Sequence, residues 1–183
     1  DVANKIAGDN QFLVSLADFK AFFAVYKHMV SFYQGSPAQL GYFRKAKNNQ
    51  TEMQIEGGPR TKHGGNDDAD NSGILSYVRI EFAGYPFEKD KEINGLTFGS
   101  VGSGTQIDHI QVSYSNDDSY EWFGGSVCCK YLIAYKGWDD DFDTDDGFSG
   151  KVQFGLAVRD SKIADTSQSN GFESDNCADG SLV

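Results

Sequence analysis

The sequence predicts an all-β fold, a parallel β-helix with an N-terminal amphipathic helix capping one end. Three observations carry that prediction. First, a polar pair, a spacer, an aromatic and an acid recur as Asp117-Asp118-Ser119-Tyr120-Glu121, Asp139-Asp140-Asp141-Phe142-Asp143 and Ser169-Asn170-Gly171-Phe172-Glu173. The aromatics fall 22 and then 30 residues apart, which is the period of a solenoid coil. Second, Ile74–Phe82, Ile107–Tyr114, Val127–Tyr135 and Val152–Val158 alternate as strands do, each running into a turn and a polar, Asp- or Gly-rich segment. Third, nothing after residue 55 has helical periodicity long enough for a crossover helix, so parallel strands can be joined only by winding. A β-sandwich with irregular loops is the alternative.

Composition sets the bounds. A chain of 183 residues is expected to form one domain that buries about 70% of its unfolded surface. With 21 Gly and 3 Pro beside 14 Phe and 9 Tyr, it fits a turn-dense β protein better than a helical bundle. The formal charge of −11 is uneven: residues 1–55 hold six Lys/Arg against four Asp/Glu, and residues 56–183 hold ten against twenty-three. Such a surface repels phosphate, so nucleic acid is excluded as a partner. Cations, or neutral ligands rich in hydroxyls, suit it better. The chain begins at Asp1 without Met and without a signal-peptide pattern, and it stops at Val183 with no closing element, so a processed or partial chain is expected.

Residues 11–34 read as the helix. Phe12, Leu16, Phe19, Phe23, Tyr26, Val30 and Tyr33 recur in steps of four and three, with Asp18, Lys20 and Lys27 on the polar side. Asp9 or Asn10 could cap its start and Gly35-Ser36-Pro37 ends it. The charges inside it argue against a membrane span. Residues 35–73 are loops punctuated by Gly57-Gly58-Pro59 and Gly64-Gly65-Asn66, with a solvated basic cluster at Arg44, Lys45 and Lys47. The expected division is therefore residues 1–55, a helical cap and connector, and residues 56–183, the coils. An end coil exposes apolar side chains and unpaired backbone, which gives the helix a covering role. Among the strands, Ile80-Glu81-Phe82, Val112-Ser113-Tyr114 and Ile133-Ala134-Tyr135 align as equivalent positions.

Three cysteines are too few for a disulfide framework. Cys128 and Cys129 are adjacent, point to opposite faces of a strand and read as small buried groups or inert thiols, with a bridge from either to Cys177 as the alternative.

From about Ile55 to Asp179 the chain resembles a group of bacterial outer-surface proteins with a right-handed, pectate-lyase-like parallel β-helix. The stretches that carry the resemblance are Asp70-Asn71-Ser72-Gly73 leading into YVRIEFAGYPF, then EINGLTFGSVGSGTQIDHIQVSYSNDDSYEWFGG, DDDFDTDDGFSGKVQFGLAVRD and SNGFESDN. The resemblance implies a secreted or lipid-anchored envelope protein, in a group without an established activity. Residues 1–50 depart from it, since further β-coils would be expected where this chain has the helix.

The acidic coils hold the candidate chemistry. In an extended segment Asp139, Asp141, Asp143 and Asp145 would share one face at about 6.6 Å spacing. Each neighbouring pair would then repel by roughly 0.6 kcal/mol in water and about 2.5 kcal/mol at an effective dielectric of 20. Asp117, Glu121 and Glu173 stack on them from neighbouring coils. A bound cation, backbone N–H donors or raised carboxyl pKa values would relieve the repulsion. Dense hard oxygens suit Ca²⁺. The spelling Asp141-x-Asp143-x-Asp145-Asp146-Gly147 is similar to an EF-hand opening, but the Gly is one place late and Val152 replaces the closing Glu. A solvated acidic ridge held by turn hydrogen bonds is the plainer reading. The sequence does not favour zinc, because His28, His63 and His109 are scattered and the cysteines lack ligand spacing. His109, beside Asp108, reads as structural.

Two functions follow. One is a non-catalytic, structural, adhesive or glycan-binding surface protein, with Tyr120, Trp122 and Trp138 as rings for stacking on sugars. The other is polysaccharide cleavage by a carboxylate pair drawn from Asp117, Asp118, Asp139, Asp140 and Asp143. The plainer reading of Phe142, Phe148, Phe154 and Phe172 is stacked core. A glycan or a cell-surface protein is the expected partner, and oligomeric state is open.

Overall fold

A computed structural model describes residues 12–13, 52–55, 62–88 and 91–175. Among them thirteen strands form and no helix. In order they are β1 (Phe12–Leu13), β2 (Glu52–Gln54), β3 (Lys62–Gly64), β4 (Ile74–Glu81), β5 (Tyr85–Glu88), β6 (Lys91–Ile93), β7 (Leu96–Gly99), β8 (Gln106–Ser113), β9 (Tyr120–Phe123), β10 (Cys128–Tyr135), β11 (Asp143–Asp145), β12 (Lys151–Val158) and β13 (Glu173–Ser174). Two parallel sheets dominate, β1-β4-β8-β10-β12 and β13-β11-β9-β7. From β7 to β13 successive strands alternate between them. That alternation is the winding expected of a parallel β-helix, because parallel neighbours cannot be joined by tight hairpins. Two small antiparallel pairs, β2–β3 and β5–β6, sit on the connections.

The helix expected over residues 11–34 is overturned at Phe12–Leu13. These two residues pair in parallel with Val78 and Arg79, giving the outer edge of β4 hydrogen-bond partners. The remainder of that stretch and the basic cluster at Arg44, Lys45 and Lys47 lie outside the described residues. No helix among the described residues is long and apolar enough to cross a membrane.

Alternation explains the core. Val78 and Ile80 on β4, Ile110 and Val112 on β8, and Leu132 and Ala134 on β10 face inward and are buried. They meet Leu96, Phe98, Tyr120, Trp122 and Phe142 from the coils of the second sheet. Each of the larger aliphatic and Phe side chains among them contributes about 1.5–3 kcal/mol by leaving water. The rings continue from coil to coil: Phe98 stacks on Trp122 at 5.1 Å and Tyr120 on Phe142 at 5.3 Å. The register pairs Val112 with Ala134, not with Ile133 as the apolar alignment suggested. Ile133 faces outward opposite Gln111, and the small Ala134 fills the crowded interior.

The coils bend where residues adopt left-handed backbone angles. Tyr77, His109, Tyr131 and Phe154, at φ of 55°, 52°, 57° and 62°, occupy one column across the first sheet. For a residue with a Cβ this conformation costs roughly 1–2 kcal/mol. Stacking of the four rings, at 4.3, 4.5 and 5.0 Å, offsets part of that cost. At Gly125, φ is +83° and a Cβ would lie 2.6 Å from the Val101 backbone, so only glycine fits.

Among the described residues Cys128 is an exposed thiol and Cys129 a buried one; Cys177, and with it the alternative bridge, lies outside the described residues. Burial pushes the Cys129 thiol up to about 12, which leaves it unreactive.

Candidate acidic site

The recurring motif stacks on itself. Asp143 on β11 pairs with Glu121 on β9 and with Glu173 on β13, so the last acids of the three motifs form one column. The second polar position forms another. Asp118 Oδ1 accepts the backbone N–H of Asp140 at 2.9 Å, and the Asp140 carboxylate accepts the backbone N–H of Asn170. Each coil's carboxylate thus satisfies a donor that the next coil's turn would otherwise bury unpaired. On the preceding coil, the Asn94 side-chain amide donates to Glu121.

Asp118 is the hub of the cluster. Carboxylate oxygens of Asp117, Asp118 and Asp139 all lie within 4.8 Å of one another, and so do those of Asp118, Glu121 and Asp143. Three carboxylates this close cannot all ionise without a neutralising partner. Burial, followed by the charges of Asp117 and Asp143, pushes Asp118 up to about 9. Burial and the charges of Asp140 and Asp145 push Asp143 up to about 6. A hydrogen bond with Asp140, then burial and the charges of Asp140 and Asp143, take Glu173 to about 7. Burial also raises Asp139, against a hydrogen bond from Ser167 Oγ at 3.0 Å.

The remaining acids behave differently. Asp139 and Asp141 do not share a strand face with Asp143 and Asp145, as expected from the sequence, because β11 begins only at Asp143 and the preceding residues bend. Asp140, Asp141 and Phe142, ahead of that strand, are buried in succession. Asp141 is fully buried, 3.1 Å from Arg159 Nη1, an ion pair without hydrogen-bond alignment. That Nη1 also donates to the carbonyls of Asp139 at 2.8 Å and Asn170 at 3.0 Å. Arg159 therefore ties Asp141 into the fold and away from the cluster. Asp145 is half-buried and belongs to neither triad.

The three candidate stacking rings separate sharply. Tyr120 and Trp122 are fully buried. Tyr120 Oη donates to the carbonyls of Ile110 and Ile133, and Trp122 lies among Phe98, Tyr120 and Phe148, so neither can offer a face to a sugar. Trp138 is 44% exposed next to Asp139, its Nε1 donating to Asp165 Oδ1 at 3.1 Å. Phe142 and Phe148 pack in the core, whereas Phe154 and Phe172 are exposed. The hub residue, Asp118, stood in the sequence only as one member of a carboxylate pair. Its place two residues before the motif's aromatic, shared with Asp140 and Asn170, was the signal available.

The donor set fits a hard cation. An ion with oxygens at about 2.3–2.6 Å spans oxygen separations up to about 5 Å, and each triad lies within that reach. Three carboxylates fall short of the six to eight oxygens calcium takes, leaving the balance to backbone carbonyls and water.

No curated protein and no solved structure matches the chain. The family model described as a pectate-lyase-like beta helix domain matches residues 40–183, a span that includes every strand from β2 onward and the whole acidic cluster. The chain belongs to that family of pectate-lyase-like β-helix domains.

Proposed function

We propose that the protein is a non-catalytic β-helix module, secreted or carried on a bacterial cell surface, whose acidic coils hold a calcium ion beside a glycan-binding face. The observation that carries this reading is the sharing of Asp118 between two carboxylate triads, each within 4.8 Å. Calcium would replace the protons that Asp118 and Asp143 retain and would relieve the repulsion at its source. Asp117 and Asp139 complete one triad, Glu121 and Asp143 the other, and Glu173 lies beside Asp143. Trp138, exposed next to Asp139, supplies the ring for a sugar face. The reading takes the coils as one right-handed solenoid. Its test is thermal melting of metal-stripped protein with millimolar Ca²⁺ or Mg²⁺. A calcium-selective rise that disappears in Asp118→Asn supports it, since a ligand bound only by the folded state stabilises by mass action. An unchanged melting temperature overturns it.

One feature favours a second reading, polysaccharide cleavage. A carboxyl held at about 9 is protonated at neutral pH, as a general acid must be, and Asp117 and Asp139 stand beside it as candidate bases. Reducing-end release from acidic and neutral polysaccharides, abolished in Asp118→Asn, would establish that alternative.

A further inference from the structure

The outer face of the first sheet is unlike the rest of the surface. Of nine exposed large hydrophobic residues among the described ones, Ile74, Tyr77, Tyr131, Phe154 and Leu156 lie on its strands β4, β10 and β12. The column Tyr77–His109–Tyr131–Phe154 runs through the middle of that face, one ring per coil. Contiguous apolar surface of this kind marks an interaction site.

The charges beside the column are ordered. Asp108 on β8 and Lys130 on β10 are register neighbours on the same side of it. Asp108 is engaged by His109 Nδ1 at 2.6 Å, by Gln106 Nε2 at 2.7 Å and by Ser76 Oγ. Lys130 makes no ion pair among the described residues.

We propose that this face binds a second copy of the chain, in a two-fold dimer whose axis runs along the strands between β8 and β10. That rotation keeps each position along the strands and reverses the order of coils. The β4 strand then lies over the partner's β12, and β8 over the partner's β10. The aromatic column meets its own reverse, and Asp108 of each copy faces the lysine at position 130 of the other. Four charges alternate around the axis, an isologous contact that supplies Lys130 with the counter-charge it lacks. Two sheets packed face to face stand about 10 Å apart, which suits interdigitated side chains of this size.

Other occupants fit less well. The faces of His109 and Tyr131 are covered by neighbouring rings on both sides, which leaves ring edges where a sugar needs a face. The mixture of Asp108 and Glu81 with Arg79, Lys130 and Lys151 matches neither a uniformly anionic polymer nor an anionic membrane.

The test is sedimentation velocity of the full chain across the micromolar range. The expected result is a reversible dimer that weakens as salt is raised. Phe154→Asp and Lys130→Glu each weaken it by about tenfold or more, because one buries a charge against Tyr77 and the other opposes like charges. Asp108→Lys combined with Lys130→Glu restores the alternating square and recovers the dimer. A monomer at every concentration overturns the proposal. So does a dimer indifferent to Phe154→Asp and Lys130→Glu, which would place the contact elsewhere. Phe154 and Lys130 are exposed and Asp108 is half-buried, and melting curves check that the variants fold. Should they not fold, the mass of the unaltered chain and its salt dependence decide the matter.

Discussion

Asp118 and Asp140 are joined across one coil: the Asp118 carboxyl accepts the Asp140 backbone N–H at 2.9 Å while its own charge is suppressed by burial and then by its acidic neighbours. An amide oxygen can accept the same bond, and at neutral pH it carries the same charge as the protonated acid. Asp118→Asn is therefore expected to leave the metal-free fold intact and to melt at the same temperature or higher. Calorimetry of the two metal-free proteins at neutral pH checks this. A large destabilisation would mean that Asp118 is ionised and paired in the folded state.

The dependence on pH has two limbs of opposite origin. Asp118, Glu173 and Asp143 have folded values raised to about 9, 7 and 6, so the folded chain keeps protons that the unfolded chain releases. The stability they contribute is complete below their ordinary values of 3.8 for Asp and 4.5 for Glu, and it is lost as pH rises through the folded values. His63 works the other way. Burial lowers it to about 4 from 6.5, so its contribution is complete above 6.5 and lost as pH falls toward 4. Between pH 7 and 9 the metal-free protein should lose stability on account of Asp118, and Asp118→Asn should flatten that slope. His63→Gln should flatten the acid limb alone. Urea midpoints measured across pH separate the two.

Arg159 is expected to be structural. Replacing it with Met leaves the fully buried Asp141 without its counter-charge and two carbonyls without a donor, at a cost of about 3 kcal/mol. Asp141→Asn in the same chain should recover part of that loss. Chemical denaturation of the single and double variants gives the coupling directly.

The two tryptophans should respond in opposite ways. Trp122→Ala removes a fully buried ring from a continuous stack and should cost about 3–5 kcal/mol. Trp138→Ala removes an exposed ring with one hydrogen bond and should cost less than about 1 kcal/mol. If the glycan-binding reading holds, only the second lowers retention on immobilised glycans at unchanged melting temperature.

Much of the coil architecture was legible because it is periodic. The four long strands alternate clearly, and their ends in the structure fall within one residue of the pattern. The acidic motif was legible too, since its repeat matches the register Glu121–Asp143–Glu173. The short strands β7, β9, β11 and β13 were not, because two to four residues among aspartates and glycines carry no period. Ile133 misled the alignment: a branched apolar side chain faces outward there, and Ala134 takes the interior. Tyr120 and Trp122 misled in the other direction, since polar neighbours in sequence made core rings look accessible. Phe12–Leu13 shows the limit of helical periodicity, as an open sheet edge offers such a segment stronger backbone pairing than its pattern suggests.

Isothermal titration of calcium into metal-stripped protein, beside Asp118→Asn, tests the central claim most directly. Saturable binding is expected in the unaltered chain, with release of protons on binding, tighter binding as pH rises from 6 to 9, and loss of binding in the variant. No binding heat at any pH, or equal binding by the variant, would contradict it and leave the acidic coils as hydrogen-bonded turns.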